Sequence, residues 1–157
     1  MDFNLSPKTT EYAAKLQAFM DSEVFPAEAV YHQQREQLIA QGKPHALPAI
    51  VEELKTKAKA LGLWNLFLPH YGHGLSVTDY ATLAEITGWS PEIAPEAINC
   101  AAPDTGNMEL LDMFGNKEQK ERWLQPLLDG QIRSAFAMTE PAVASSDARN
   151  IQTQIVK

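Results

Sequence analysis

Apolar residues recur every three or four positions through most of this sequence, and that spacing constrains the fold more than any other feature. A stripe with this period covers one face of an α-helix, which has to be buried against another element. The clearest stripe consists of Leu47, Ile50, Val51, Leu54, Ala58 and Leu61. Comparable stripes follow one another from Pro7 to Gly130, so the sequence predicts an all-α fold, a helical bundle of about six helices.

Local signals indicate where several of these helices begin and end. Two pairs of residues, three positions apart, are typical of N-terminal caps: Ser76 with Asp79, and Asn116 with Gln119. Pro26 is expected to stop or restart the first helix, because proline has no backbone N–H to donate. The stretch "AAPDTGN", residues 101–107, is rich in turn formers and is expected to interrupt a helix.

The helical period ends after Gly130. In "NIQTQIVK", Ile151, Thr153 and Ile155 alternate with polar residues, which is typical of a strand. The sequence thus predicts a helical domain over 1–132, followed over 133–157 by a loop and a short β segment that open a second domain. Because an isolated two-stranded piece is at best marginally stable in water, we expect the chain to belong to a longer polypeptide.

Composition and charge exclude several classes of protein. Of the 157 residues, 45% are hydrophobic and 21% are charged, which is typical of a globular protein and not of a disordered one. The net charge of -7 argues against a nucleic-acid partner, since phosphates require clustered Lys and Arg. No apolar run approaches the roughly 18 to 20 residues of a transmembrane segment, and the N-terminus lacks a secretory pattern. These features predict a cytoplasmic protein.

Two histidines and the single cysteine are the residues whose side chains most often carry metal or thiol chemistry. His70 and His73 are spaced like metal ligands, but no cysteine or carboxylate cluster accompanies them to complete a shell of about four. A solvated loop is the interpretation we favour, and no metal site is predicted. Cys100 has no obvious base nearby in the sequence and is expected to be a small buried residue.

The stretch "FAMTEPAVASSDARNIQT", residues 136–153, is poor in helix formers and rich in small polar residues. It resembles the flavin-facing segment of the acyl-CoA dehydrogenases, in which a large residue leads into Thr-Glu-Pro, small residues, Ser-Asp and a strand. Upstream pieces match that family in the same order: "LGLWNLFLPHYGHGLS", "YATLAEITG" and "FGNKEQKERWLQPLLDGQIRSAFAMTEP". The resemblance covers nearly the whole chain and is most specific from Gly115 to Thr153.

The resemblance implies a protein of three parts: an N-terminal helical domain, a middle β-barrel and a C-terminal helical domain, with FAD bound between them. It implies dehydrogenation of an acyl-CoA thioester to a 2-enoyl-CoA, an electron-transfer flavoprotein as acceptor, and a homo-oligomer. The catalytic base of the family is a glutamate of the C-terminal domain, which has no counterpart here, so the chain alone is expected to be inactive. In a eukaryote, the resemblance implies a mitochondrial or peroxisomal location.

The same resemblance assigns roles to three residues that face the flavin ring. Phe136 matches the bulky residue that packs against it. Met138 and Thr139 match positions whose backbone N–H and hydroxyl meet the pyrimidine edge of the isoalloxazine. Donors at that edge stabilise the negative charge that develops when the ring accepts a hydride.

Two serines are candidates for contacts further along the cofactor. Ser146 matches the serine that meets the phosphate-bearing part of FAD and the pantetheine arm of the substrate. Residues 142–145, Ala-Val-Ala-Ser, depart from the commoner Gly-Ala-Gly form and are one residue longer. Ser145 therefore remains an alternative to Ser146 for this contact.

Several alternatives stay open. Glu140-Pro141 can alternatively be interpreted as no more than the end of a strand, since proline lacks a donor and favours an extended backbone in the residue before it. Residues 99–107 match the helices that line the acyl-tail tunnel, so they either shape chain-length preference or form an ordinary turn. The fold is shared by acyl-CoA oxidases and flavin monooxygenases, and a stand-alone helical interaction module without catalysis is a further alternative.

Overall fold

The computed structural model describes residues 4–71, 73–144 and 147–156. Within these ranges the chain forms six continuous stretches that contain α-helix, one 3₁₀ turn at Ala148–Asn150 and no strand, which confirms the predicted all-α fold. The α-helices are α1 (Pro7–Phe19), α2 (Phe25–Ala40), α3 (Ala49–Ala60), α4 (Val77–Thr87), α5 (Ala94–Ala97), α6 (Asp104–Phe114), α7 (Lys117–Gln119) and α8 (Gln125–Leu128). Two π-helical turns, Met20–Val24 and Lys120–Leu124, join α1 to α2 and α7 to α8.

Both π-helical turns end two residues before a proline. Phe25 N–H donates to Met20 O and Gln125 N–H donates to Lys120 O, and the next residues are Pro26 and Pro126. A wider turn accommodates a residue that has no N–H and whose ring would clash with the carbonyl one turn back. The helical backbone therefore continues through Pro26 instead of stopping there, and α2 begins at Phe25 with Pro26 in its first turn, within one residue of the predicted restart.

The predicted helix caps are present. Ser76 and Asp79 form a reciprocal capping box at the start of α4, and Asn116 and Gln119 form another at the start of α7. In each pair the first side chain accepts from the backbone of the second residue, whose own side chain accepts from the backbone of the first.

The apolar stripes meet in one core, in which α1 packs on α4, α2 on α3, α3 on α5, and α6 on α8. Its largest fully buried side chains are Phe19, Leu16, Met20, Leu54, Leu63, Leu66, Leu75, Leu83, Ile93, Ile98, Met108 and Leu124. No helix within the described ranges is long and apolar enough to cross a bilayer.

The chain leaves the bundle at Gly130, just after two side chains fix the end of α8. The carbonyl of Leu128 accepts from Trp64 Nε1 at 2.7 Å and from Asn65 Nδ2 at 3.0 Å. Gly130 has a φ of 70°, and a Cβ there would lie 2.8 Å from Trp64 Cζ2. Glycine is required at this position both for the left-handed backbone and for the indole beside it.

Two sequence-based expectations are corrected here. The short β segment is not shown: residues 151–156 have no strand partner among the described residues, and the amides of Gln152 and Thr153 donate to a side-chain carboxylate instead. A strand needs a neighbouring backbone to complete its ladder. In addition, "AAPDTGN" is only partly a break, because α6 already begins at Asp104.

Candidate functional site

The segment predicted to face a cofactor leaves the bundle without helical structure and stays at the surface. Phe136 is 58% exposed and Met138 54% exposed, and Thr139 is also exposed. Among the residues that the structure describes, none accepts a hydrogen bond from the backbone N–H groups of residues 135–139. The segment thus presents an aromatic ring, a thioether, a hydroxyl and a row of free amide donors on one short stretch.

Phe136 lies against the first turn of α6. A Cβ built on Gly106 would be 3.7 Å from Phe136 Cζ, so the edge of the ring lies beside this glycine, at the distance where it would touch a methyl group placed there. More than half of the side chain remains open to solvent. The ring is therefore positioned by α6 while most of its surface is available to a ligand.

A buried carboxylate attaches this segment to α6. Asp104, the first residue of α6, is 4% exposed. Its Oδ1 accepts from Ser134 N at 2.7 Å and Ser134 Oγ at 2.5 Å, and its Oδ2 accepts from Arg133 Nε at 2.5 Å. Hydrogen bonds to a charged group are stronger than those between neutral groups, so three of them at once make a firm attachment.

The attachment extends to two further helices. Arg133 Nη1 donates to Glu96 Oε1 of α5 at 2.8 Å, and the same carboxylate receives Lys55 Nζ of α3 at 2.8 Å. Asn107 Nδ2, one turn along α6, donates to Ser134 Oγ at 2.7 Å. We call Lys55, Glu96, Asp104, Asn107, Arg133 and Ser134 the Asp104 network; it connects three helices with the beginning of the exposed segment.

A second carboxylate closes the loop that follows. Glu140 accepts from Gln152 N at 3.0 Å, from Thr153 N at 2.9 Å and from the Thr153 hydroxyl. These bonds hold the pKa of Glu140 below its usual range, the Thr153 hydroxyl being the largest cause. Glu140 therefore connects the two ends of the 141–151 loop, a role beyond ending a strand.

The two serines predicted to contact phosphate and pantetheine, Ser145 and Ser146, lie within that loop but outside the described residues. Asp147, which follows them, accepts from Arg149 N, Nε and Nη2 at 2.8–3.1 Å. The guanidinium of Arg149 lowers the pKa of this carboxyl. The roles predicted for Ser145 and Ser146 stay predictions.

An apolar groove runs beside the exposed segment, between α6 and the end of the last helical stretch. Its volume is about 290 Å³, and its lining includes Leu110, Trp123, Ile132 and Ala135. Leu110 and Ile132 are both substantially exposed. A groove of this kind accepts apolar groups, either from a ligand or from another part of a protein.

Residues 99–107, an open alternative at the level of sequence, hold other parts of the structure in place. Asn99 Nδ2 donates to Asn65 Oδ1 at 2.6 Å and to Leu127 O at 3.0 Å, so its amide fixes the end of α8. Asp104 and Asn107 are both in the Asp104 network. These contacts position residues 127–136 and give no separate support to a role in chain-length preference.

The histidines and the cysteine have separate surroundings. His70 Nδ1 lies 2.9 Å from Asp112 Oδ2, whereas the ring of His73 lies 5.3 Å from that of Tyr12. Within the described ranges no group of three or more His, Cys, Asp or Glu side chains is placed to hold a metal ion. Cys100 is buried as predicted, and burial raises the pKa of its thiol to about 11, which suppresses the reactive thiolate.

The sequence predicts the exposed residues of the segment as site residues but gives only a weak signal for the carboxylates that hold it. Asp104 directly follows Pro103, and an acidic residue in that position is a signal for the first turn of a helix. Its partners, Arg133 and Ser134, are about 30 residues away, as the separations of 29 and 30 show. Hydrogen bonds between residues so far apart in the sequence cannot be predicted from a local sequence pattern.

The chemistry of the segment fits a planar aromatic ligand that has acceptor atoms along one edge. The exposed ring of Phe136 offers a surface for stacking. The N–H groups of residues 135–139, which have no acceptor among the described residues, and the Thr139 hydroxyl offer donors beside it. Isoalloxazine, with two carbonyls and ring nitrogens on its pyrimidine side, is a ligand of this type.

Comparison with known proteins assigns the chain to a family. The model of the family described as "Acyl-CoA dehydrogenase, N-terminal domain" matches residues 6–131, which is most of the chain. The chain therefore belongs to the acyl-CoA dehydrogenase family, and the matched part is its helical N-terminal domain.

Individual relatives agree with this assignment. "Probable acyl-CoA dehydrogenase FadE2" of Mycobacterium tuberculosis is 62% identical over 99% of this chain and 37% of its own length. "Acyl-CoA dehydrogenase family member 10" of Mus musculus is 50% identical over 96% of this chain and 14% of its own length. The solved structure of a protein from Mycobacterium abscessus, described as a candidate acyl-CoA dehydrogenase, has a TM-score of 0.84 and 48% identity, covering 93% of this chain and 37% of that one. The chain thus spans well under half the length of these relatives.

Proposed function

We propose that residues 1–157 supply the N-terminal helical part of an FAD-dependent acyl-CoA dehydrogenase, with a domain boundary near residue 132. The observation that supports this most directly is the exposed 136–139 segment, with its free amide donors and its open aromatic ring. The family assignment of residues 6–131 supports it independently. In this proposal the segment is one wall of a cofactor site.

The residues of the segment have distinct roles in the proposed site. Phe136 packs against the flavin ring, while the backbone N–H groups of Met138 and Thr139 and the Thr139 hydroxyl donate to its pyrimidine edge. When bound, FAD supplies the acceptor for a hydride from the β-carbon of an acyl-CoA thioester, whose product is a 2-enoyl-CoA. Donors fixed at that edge stabilise the charge of the reduced ring, because they need no reorganisation as it forms. Ser146, or Ser145 in its place, contacts the phosphates and the pantetheine arm.

The chain alone lacks dehydrogenase activity in this proposal. Loss of the α-proton requires a base, which the family draws from its C-terminal domain, and the chain matches only 37% of the FadE2 relative. Acyl-CoA is the substrate, an electron-transfer flavoprotein takes the electrons, and the complete protein is a homo-oligomer. We propose an intracellular location, in the cytoplasm or, in a eukaryote, in a mitochondrion or peroxisome.

The test uses the complete translation product that contains residues 1–157, compared with the chain by itself. We expect the complete product to retain FAD through gel filtration and to be bleached under anaerobic conditions by acyl-CoA thioesters. The Thr139→Val variant removes one hydroxyl donor, so it is expected to weaken FAD binding about 2- to 10-fold. The matched control is Thr78→Val, which makes the same change at an exposed position of α4.

The proposal is wrong if the complete product binds no flavin, or if Thr139→Val and Thr78→Val bind it equally well. Flavin retained in equal amounts by the 157-residue chain alone would contradict the weak binding expected of an incomplete site. The electron acceptor separates the related chemistries: rapid reoxidation by oxygen indicates an oxidase or monooxygenase, and slow reoxidation a dehydrogenase. A defined complex with another protein and no flavin indicates an interaction module.

A further inference from the structure

The carboxylate of Asp104 is buried, although an aspartate at a helix N-terminus does not have to be buried to stabilise the helix. An aspartate at a helix N-terminus is favourable when exposed to solvent, because it complements the helix dipole and stays hydrated. Asp104 instead has a side chain only 6% accessible, and its donors come from Arg133 and Ser134. Apolar packing of the same volume is commonly as stabilising as a buried ion pair, so the distinctive effect of the network is to select one arrangement.

The network determines which side chains of residues 134–139 face α6 and which face away from it. Ser134 is bonded to Asp104, and Phe136, two residues later, lies beside Gly106 on the same helix, 3.7 Å from where a Cβ of that residue would be. Side chains of an extended chain alternate between two sides, so these two contacts agree with each other. A shift of one residue at Ser134 would turn Phe136 away from α6 and Thr139 toward it.

A change in the backbone at Ser134 displaces later residues of the segment by more, the further along the chain they lie. An extended backbone advances about 3.3–3.6 Å per residue, so Phe136 begins about 7 Å and Thr139 about 17 Å beyond the anchored Ser134. Among the described residues, none accepts a hydrogen bond from the backbone N–H groups of residues 135–139. No backbone hydrogen bond from these amides therefore restores the position of the segment if the bonds at Ser134 are lost. The next fixed point is Glu140, whose carboxylate is bonded to residues 152 and 153.

We propose that Asp104 is a positioning residue for the proposed flavin site: through Ser134 and Arg133 it sets the side and position of Phe136, Met138 and Thr139 without touching the cofactor. This inference rests on the proposed function for the identity of the ligand. The geometric part, that Asp104 orders the 134–138 segment against α6, does not depend on it.

The geometric part is tested on the 157-residue chain by nuclear magnetic resonance. In Asp104→Asn, an amide replaces the charge that three donors share. We expect the Phe136 ring to move away from Gly106 and the backbone order parameters of residues 134–138 to fall below about 0.6. Ser134→Ala, which leaves the buried carboxylate untouched, is expected to act in the same direction more weakly and serves if Asp104→Asn does not fold.

The control is Asp112→Asn, the same change at the other end of the same helix. Asp112 has a side chain 10% accessible and lies beside two basic groups, with Lys120 Nζ at 3.6 Å and His70 Nδ1 at 2.9 Å. Its loss is expected to lower stability without changing the order parameters of residues 134–138. Equal order parameters in Asp104→Asn and Asp112→Asn would overturn the inference.

The functional part is tested by FAD affinity in the complete translation product. Asp104→Asn is expected to weaken binding about tenfold or more, and Asp112→Asn by less than about twofold. If the unsubstituted product binds FAD and Asp104→Asn binds it as tightly, the inference is wrong while the proposed function stands. If the unsubstituted product binds none, the proposed function is wrong, and the order parameters alone decide whether Asp104 orders the segment.

Discussion

At the scale of single residues, Asp79 shows how one carboxylate serves two helices. Besides capping α4 through Ser76 N at 2.9 Å and Ser76 Oγ at 2.6 Å, it accepts from the hydroxyls of Ser6 and Thr9 at the start of α1. The Ser76 hydroxyl, followed by that of Thr9, holds the pKa of Asp79 well below its usual range. The capping pair was predicted from sequence; the contact with α1 was not, because Thr9 and Asp79 are 70 positions apart.

Replacing Asp79 by asparagine is expected to lower the free energy of unfolding by about 1–2 kcal/mol at pH 7, since a cap and its charge are lost together. Because folding lowers this pKa, the stabilisation is complete above the unfolded value of about 3.9 and is lost as the pH falls through the lower native value. Urea unfolding at pH 7 and at about pH 3 measures both effects, and the difference between variant and wild type should shrink at the lower pH.

The control for this prediction is Asp21→Asn. Asp21 accepts a single hydrogen bond from Gln17 Nε2 on an exposed helix face, and its replacement is expected to change stability by less than about 0.5 kcal/mol. Equal losses for the two variants would show that Asp79 contributes nothing beyond an ordinary surface carboxylate.

At the scale of elements, the sequence predicted helices well and the segment after them poorly. Val51, Leu54 and Ala58 of the predicted stripe lie in the core, because the helical period decides which face is buried. Leu47 and Leu61, which lie just outside α3, are 38% and 52% exposed. The alternation of Ile151 and Ile155 is a weaker signal, since a strand forms only against a neighbouring strand, and Ile155 is 99% exposed. What shapes that region is Glu140, whose partners lie 12 and 13 positions away.

Replacing Glu140 by glutamine is expected to open the 141–151 loop, because an amide is a weaker acceptor and one of its two positions is a donor. Amide hydrogen exchange at Gln152 and Thr153 should accelerate about fivefold or more. Folding lowers the pKa of Glu140, so in the wild type the protection is present above the unfolded value of about 4.3 and fades as the pH falls below it. Glu118→Gln, on an exposed part of α7, should leave both amides unchanged; no acceleration in Glu140→Gln would contradict the assigned role.

At the scale of the whole molecule, the buried apolar residues can be predicted from the sequence, whereas the polar contacts and the exposed site residues cannot be predicted from spacing. An apolar residue in the middle of a stripe is buried through the helical period alone, so most of the core and the six helical stretches follow from spacing. The candidate site depends instead on which polar groups meet: Asp104 with Ser134, Glu140 with Thr153. The exposed residues Phe136, Met138 and Thr139 were predicted from family resemblance, because exposed side chains leave no periodic signal, and their role stays a prediction.

The bundle leaves several apolar side chains uncovered along α6. Leu110, Met113 and Phe114 are 56%, 70% and 73% exposed, and Phe136 lies beside Gly106 one turn before Leu110. We call these four residues the α6 apolar surface. Contiguous exposed apolar residues mark a surface that another part of a protein covers. In the proposed function that part belongs to the same polypeptide, since the chain matches only 37% of its FadE2 relative.

The 157-residue chain alone should therefore bind an apolar fluorescent dye and self-associate with rising concentration, and the complete translation product should do neither. Phe114→Glu places a charge on the α6 apolar surface and should reduce both properties in the chain alone. In the complete product the same change should lower stability, because the charge is then buried without a partner. The control is Trp89→Glu, at another exposed aromatic that follows α4 and lies outside this surface. If dye fluorescence and sedimentation respond equally to both variants, the α6 apolar surface binds the dye and self-associates no more than the rest of the chain does. The rest of the polypeptide would then not cover this surface.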